Sequence, residues 1–327
     1  MKKLKEKKLF ILILIFIVII LNIKFPYYID APGGISNMDK KININGYKSS
    51  GSFNLVYVKE YKATIPTLLM SLFNKDYKIM PKEDVLLDND TYESYQIRDK
   101  LLMDESISNA IYVAYKSANK SIKVKKNSIK VAYVLEDADT SLLVGDEILS
   151  IDNKNITTKE ELFKIINNKE VNDIINIKVK NNKKEYNRYA KIKEEDGKKI
   201  IGIIICNIND YDINPSISFN IDKNESGSSG GLVTALFIYN SLIEDDITNG
   251  LRIVGTGTID LDGNVGEIGG IEYKLKSAVK NKADLFIVPI GDNYNDAIKL
   301  KEEKGYNIKI IGVSNFLEAI NYLSKAK

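Results

Sequence analysis

The first apolar stretch of the chain has no periodicity: Leu9 to Leu21 is continuously hydrophobic, behind Lys2, Lys3, Lys5, Lys7 and Lys8. Asn22 and Lys24 interrupt its end, and Phe25, Pro26, Tyr27 and Tyr28 follow. No small residues suited to signal cleavage occur before Ala31. A spanning helix takes about 20 apolar residues, and this core is shorter. Lys24 can snorkel, and the aromatic rings can lie at headgroup level. The pattern predicts an uncleaved signal anchor: a cytoplasmic tail over 1–8, a transmembrane span over 9–28, and the rest on the outer side of the cell membrane. A cleaved signal peptide and a buried helix of a soluble protein are the other readings.

Periodic patterns follow. Ala31-Pro32-Gly33-Gly34 reads as a turn, and 51–58 alternates as a strand does. Residues 65–73 look helical, 84–89 form an acidic, polar loop, and 95–115 is helical again, with Leu102, Ile107, Ala110, Ile111 and Ala114 near one face. From about 120 to 200 the rhythm shortens. Strand patterns at 129–134, 174–179 and 187–192 flank a helical patch at 159–166. Gly145-Asp146 feeds an alternating strand that ends in the hairpin signal Asp152-Asn153. The remainder alternates strand and helix: strands at 216–221, 253–258, 285–289 and 308–311, helices at 230–243, 271–278, 294–303 and 316–323. That alternation predicts an α/β domain.

Composition narrows the chemistry. The 327 residues suffice for two folded units. Lys+Arg 47 against Asp+Glu 44 gives +3, with lysine spread along the chain, so no nucleic-acid footprint is expected. There is no histidine, which excludes a Ser-His-Asp triad and histidine-ligated metals; neither a metal nor another cofactor is expected. The single cysteine, Cys206, lies in a strand-like run and reads as a buried small hydrophobe.

Two segments carry candidate chemistry. Ser229 lies in Glu225-Ser226-Gly227-Ser228-Ser229-Gly230-Gly231, before a run apolar nearly all round. A glycine-rich turn opening a buried helix brings backbone close to a ligand and points free N–H groups at a developing anion. Gly227, Ser228 and Gly230 are the candidate oxyanion residues. A helix-capping role for Ser229, or a flexible linker, fits the same residues. Lys274 follows Gly269-Gly270 on a helical stripe with Ile271, Leu275, Ala278 and Val279, whereas Lys276 and Lys280 fall off that stripe. A desolvated lysine loses protons more readily and can act as a general base, the usual substitute where histidine is absent. The plainer alternative is a lysine snorkelling from the edge of the core.

The segment 139–154 resembles a bacterial, circularly permuted PDZ domain. Thr256 to Ala278, with Gly263-Asn264-Val265-Gly266-Glu267-Ile268-Gly269-Gly270 at its centre, resembles the strand-turn-helix around the catalytic lysine of the Lon family's proteolytic domain. Gly227-Ser228-Ser229-Gly230-Gly231 stands where that family has a Gly-Pro-Ser-Ala-Gly nucleophile loop. Residues 51–58 resemble its first strands, and Met103-Asp104-Glu105-Ser106-Ile107-Ser108-Asn109-Ala110 its long helix. The whole arrangement is similar to membrane-anchored PDZ-containing Lon-like serine peptidases of Gram-positive bacteria, some of them pheromone-processing.

The resemblance implies a Lon-type proteolytic domain with an inserted PDZ-like β-rich domain behind a transmembrane helix, a mixed α+β and α/β fold. The N-terminal part of the peptidase would cover 29–118, the PDZ-like domain 119–205, and the catalytic part 206–327. It implies Ser229 as nucleophile, Lys274 as base, and Thr256 as the threonine that hydrogen-bonds the lysine. Expected partners are peptides or flexible segments of exported proteins; a homo-oligomer is also open. No Gly-x4-Gly-Lys-Ser/Thr loop is present, so ATP-driven unfolding is not expected. The chain departs from the family at Ser228 (for proline), Gly230 (for alanine) and Ser226 (for an acidic residue). Those departures motivate a rival reading, a tethered peptide-binding adaptor with a degenerate peptidase-like domain. A Ser-Lys amidase or esterase acting on small molecules is a third.

Overall fold

A computed structural model describes residues 2–44, 47 and 49–325. Met1 of the expected tail lies outside the described residues. Two six-stranded sheets organise the chain.

The first sheet runs Lys309–Val313, Leu285–Pro289, Arg252–Gly255, Ser52–Thr64, Lys24–Asn37, Lys78–Pro81. The first four strands are mutually parallel; the last two attach antiparallel. Parallel neighbours need crossovers, which the helices Ile271–Lys280 and Asp292–Lys304 provide. Successive side chains of a strand point to opposite faces, so this sheet feeds two cores. Phe53, Ile253, Leu285, Ile287 and Val313 pack with the helices Gly231–Leu242 and Phe316–Lys325. Val56, Val254, Phe286, Val288 and Ile310 pack with Ile271, Leu275, Ala278 and Ala297 on the other side. Burial on both faces explains why Leu285–Pro289 is apolar at every position.

The second sheet is antiparallel. Its path is Ile203–Asn214, Ser121–Val134, Glu147–Ile151, Ile174–Asn181, Lys184–Lys191, with Lys154–Asn155 paired to Glu147–Ile151. Ile175, Ile177 and Val179 are fully buried while their neighbours face outward, as period-two alternation requires. The hairpin at Asp152-Asn153 is present, with φ of 47° and 64°, a two-residue turn of the kind that suits twisted strands. Ser121 pairs with Asn214, so this unit leaves and returns as one ribbon.

The N-terminal expectation is corrected. Among the described residues no helix is long and apolar enough to cross a membrane. The helix Lys2–Leu21 gives its first turns to lysines and a glutamate. Its apolar part, Leu9–Leu21, rises only about 20 Å at about 1.5 Å per residue, against a hydrocarbon core of about 30 Å. Residues 24–28 do not continue that helix. They open the strand Lys24–Asn37, where Tyr27 faces Pro81 and Tyr28 is 2% exposed between the sheet and Tyr92. The transmembrane span over 9–28, and the single-pass placement with an extracytoplasmic catalytic part, are therefore withdrawn.

Smaller differences have local causes. Ala31-Pro32-Gly33-Gly34 is not a turn: it lies inside the strand Lys24–Asn37, which absorbs the extra residue as a bulge between Pro32 and Gly34. The strand expected at 253–258 divides into Arg252–Gly255 and Thr258–Ile259. The strand expected at 216–221 contracts to Ser218–Phe219, paired with Ile42–Asn43.

Candidate active site

The helix Ile271–Lys280 begins at Gly270, which adopts the left-handed conformation at φ +66°. A Cβ there would stand 2.8 Å from Val58 Cγ2, so the helix entry is pressed against the sheet. Ile271, Lys274, Leu275 and Ala278 are buried along one side. Lys280 is exposed, and Lys276 forms an ion pair with Asp76.

Lys274 is 3% exposed and takes part in none of the ion pairs among the described residues. Burial alone pushes its pKa down to about 8, because the desolvated ammonium lacks a compensating negative charge. Its Nζ donates to Thr256 Oγ1 at 3.2 Å.

Thr256 is fully buried where the strand Arg252–Gly255 ends, and its N–H donates to Ile287 O of the neighbouring strand. Its hydroxyl donates to the carbonyl of Ser229 at 3.2 Å. Gly257 N–H donates to the same carbonyl at 2.8 Å, and Leu232 N–H returns a bond to Gly257 O at 3.1 Å. These bonds stitch the turn carrying Ser229 to the segment that follows the central strand. The Ser229 carbonyl, Thr256 and Lys274 are thus joined in a chain of hydrogen bonds at the carboxyl end of the strand Arg252–Gly255. Ser229 Oγ has no hydrogen-bond partner among the described residues; the serine and the lysine are linked through Thr256.

The turn opens the helix Gly231–Leu242, whose residues Leu232 to Ile238 are all buried, as the all-round apolar sequence predicts. Backbone donors of the turn differ in availability. Gly227 N–H donates to Asp99 O at 3.0 Å, so in this conformation it is occupied. The N–H groups of Ser228, Ser229 and Gly230 have no partner among the described residues. Gly230 lies against Leu55, and a Cβ on Gly231 would collide with Ser106 Oγ. Sequence reasoning assigned no role to Asp99 or Ser106. The only signal was that Ser106 falls in the long-helix segment 103–110. Among the described residues no group of three or more acidic or cysteine side chains is arranged to hold a metal ion.

One hundred residues of the chain are similar to a Lon protease. The match is to Lon protease 2 of Borreliella burgdorferi, 34% identical, covering 31% of this chain and 12% of that protein. The chain thus spans about an eighth of the length of the curated relative it matches. Among solved structures, the PDZ domain of an SdrC-like protein from Listeria monocytogenes is similar at 28% identity over 25% of this chain and 92% of that one, with a TM-score of 0.24. The second domain of another Listeria protein is similar at 29% identity over 25% of this chain and 87% of that one, with a TM-score of 0.22. No protein-family model matches the chain.

Proposed function

We propose that the chain is a serine endopeptidase working through a Ser229–Lys274 dyad on peptides or flexible protein segments, without nucleotide. The observation that carries this reading is Lys274: a lysine buried without a carboxylate, deprotonating near pH 8, and joined through one threonine hydroxyl to the serine of a glycine-rich turn. The local similarity to a Lon protease supports it.

Ser229 Oγ forms a bond to the substrate carbonyl carbon while its proton passes to the neutral Lys274 amine. The carbonyl oxygen becomes an oxyanion facing free N–H groups of the turn. The carbon–nitrogen bond then breaks, and Lys274 returns the proton to the departing amine. Water attacks the acyl-serine, again giving its proton to Lys274, and the acid leaves as Ser229 recovers its own proton. The reading requires Ser229 Oγ to come within hydrogen-bond range of Lys274 Nζ when substrate binds. Catalytic hydrogen bonds commonly tighten only at that stage.

Residues 119–205 are proposed as a PDZ-like insert in the peptidase, the latter formed from 29–118 and 206–327. The insert would engage an extended peptide by adding it as a strand. The antiparallel sheet and its Asp152-Asn153 hairpin support such an insert, and the pairing of Ser121 with Asn214 carries its returning strand, Ile203–Asn214, past residue 205.

The test is cleavage of an unstructured protein without ATP, with peptides identified by mass spectrometry. Activity should be present in the parent and absent in Ser229→Ala and Lys274→Ala. Parent-like cleavage by both variants would overturn the dyad. Binding of peptides without turnover by the parent would favour an adaptor.

A further inference from the structure

The long helix Tyr92–Ser117 grips the serine turn at two points, two helical turns apart. Asp99 O accepts from Gly227 N–H at 3.0 Å, and Ser106 Oγ donates to Ser228 O at 2.8 Å. Serines inside helices commonly return their hydroxyl to a carbonyl of their own preceding turn. Ser106, 5% exposed, donates to a different element instead. Ser228 O also accepts from Gly231 N–H at 3.2 Å, so both of its lone pairs are engaged.

The direction of that carbonyl fixes a donor. The peptide between Ser228 and Ser229 is trans, since among the described residues the one cis bond is at Asn214-Pro215. In a trans unit the C=O and the following N–H lie in one plane and point opposite ways. Drawing Ser228 O toward the helix therefore turns Ser229 N–H away from it. That N–H has no partner among the described residues, whereas Gly227 N–H is occupied. By the same geometry Ser229 O, held by Thr256 and Gly257, sets the direction of Gly230 N–H.

We infer that Ser106 is a positioning residue: by holding Ser228 O it sets the peptide plane that presents Ser229 N–H to the oxyanion. This rests on the proposal that Ser229 is the nucleophile. Ser106 touches neither substrate nor reacting atoms. Its effect is confined to how well the turn matches a tetrahedral adduct compared with a planar ground state.

The test compares two affinities in the full chain. A peptide aldehyde built on a cleaved sequence forms a tetrahedral hemiacetal with Ser229 and reports the oxyanion donors; the matching product acid reports ground-state binding. Ser106→Thr and Ser106→Val are nearly the same shape and differ in the hydroxyl, so crowding beside Gly231 affects both alike. The expected result is that Val lowers kcat and aldehyde affinity together, each by about tenfold or more relative to Thr, with KM and product affinity unchanged. Ser108→Ala serves as the control. It removes a buried hydroxyl that bonds Asn209 rather than the turn, and should leave the aldehyde-to-product ratio at the parent value. Equal aldehyde-to-product ratios in Ser106→Thr and Ser106→Val would overturn the inference. So would a fall in both affinities together, which marks a merely structural role. A parent protein that forms no adduct at Ser229 would instead refute the peptidase proposal, a separate failure.

Discussion

Lys274 Nζ and Thr256 Oγ1 stand 3.2 Å apart, both buried, and the threonine passes the contact on to the carbonyl of Ser229. A hydroxyl is suited to this position because it can accept from the amine while donating to a carbonyl. Valine keeps the shape and loses both bonds. Thr256→Val should fold and lower kcat/KM by about tenfold or more, as expected for loss of a group that orients a base. Because the hydroxyl oxygen accepts from the ammonium and stabilises it, the variant's acidic pH midpoint should also move down. Steady-state kinetics across pH checks both, and an unchanged kcat/KM would remove Thr256 from the site.

Under the proposed dyad, the pH profile of the parent follows from Lys274. Below a pKa of about 8 the amine is an ammonium and has no lone pair to receive a proton from Ser229. Activity should therefore rise with pH and reach half its plateau near pH 8, with single-turnover rates used so that the chemical step is observed. A rate independent of pH between 6 and roughly 9 would exclude a lysine base at this burial.

Much of this was readable in the sequence because it depends on periodicity. Lys274's burial follows from its place on a stripe with Ile271 and Leu275, and the Asp152-Asn153 turn from local residue preference. What local patterns do not carry are bonds between distant segments. Ser106 reaches Ser228 across 122 positions, and only its place in the long-helix segment 103–110 marks it. For the same reason the local sequence presents Gly227 as a free donor, although its partner Asp99 belongs to another element. The N-terminal expectation failed on length: Leu9–Leu21 is apolar enough but too short, and the tyrosines assigned to a headgroup layer belong to a strand. That strand was hidden because Pro32-Gly33-Gly34, a turn signature, forms a bulge.

Burying Lys274 should weaken the fold. Its folded pKa of about 8 lies below the ordinary lysine value of about 10.4, so the unfolded chain binds more protons between those values. Stability from this group thus rises as pH increases from about 8 to about 10.4, and the penalty is fully present below pH 8. The difference corresponds to roughly 3 kcal/mol. Lys274→Met fills a similar volume without charge. It should raise stability by up to about 3 kcal/mol at pH 7, the gain shrinking toward pH 10, while abolishing activity. Denaturant midpoints at the two pH values decide the matter; equal gains at both would mean that desolvation of Lys274 is not the cause.

The two glycines before the lysine helix should respond differently to substitution. Gly269 has open space where a Cβ would go, with nothing within 4 Å, and lies outside the left-handed region. Gly270 sits at φ +66°, and its Cβ would stand 2.8 Å from Val58 Cγ2 and 3.4 Å from Tyr273 Cδ2. A left-handed alanine costs about 1 kcal/mol, and the clash with Val58 adds to it by shifting the first turn of the helix. Lys274 lies one turn along and donates its own N–H to Gly270 O. Gly270→Ala should therefore lower the thermal midpoint and also kcat, because displacement of that turn moves Lys274 from Thr256. Gly269→Ala should leave both near parent values. Thermal unfolding and kinetics of the pair provide the check, and equal tolerance at the two positions would show that the helix entry does not set the lysine's position.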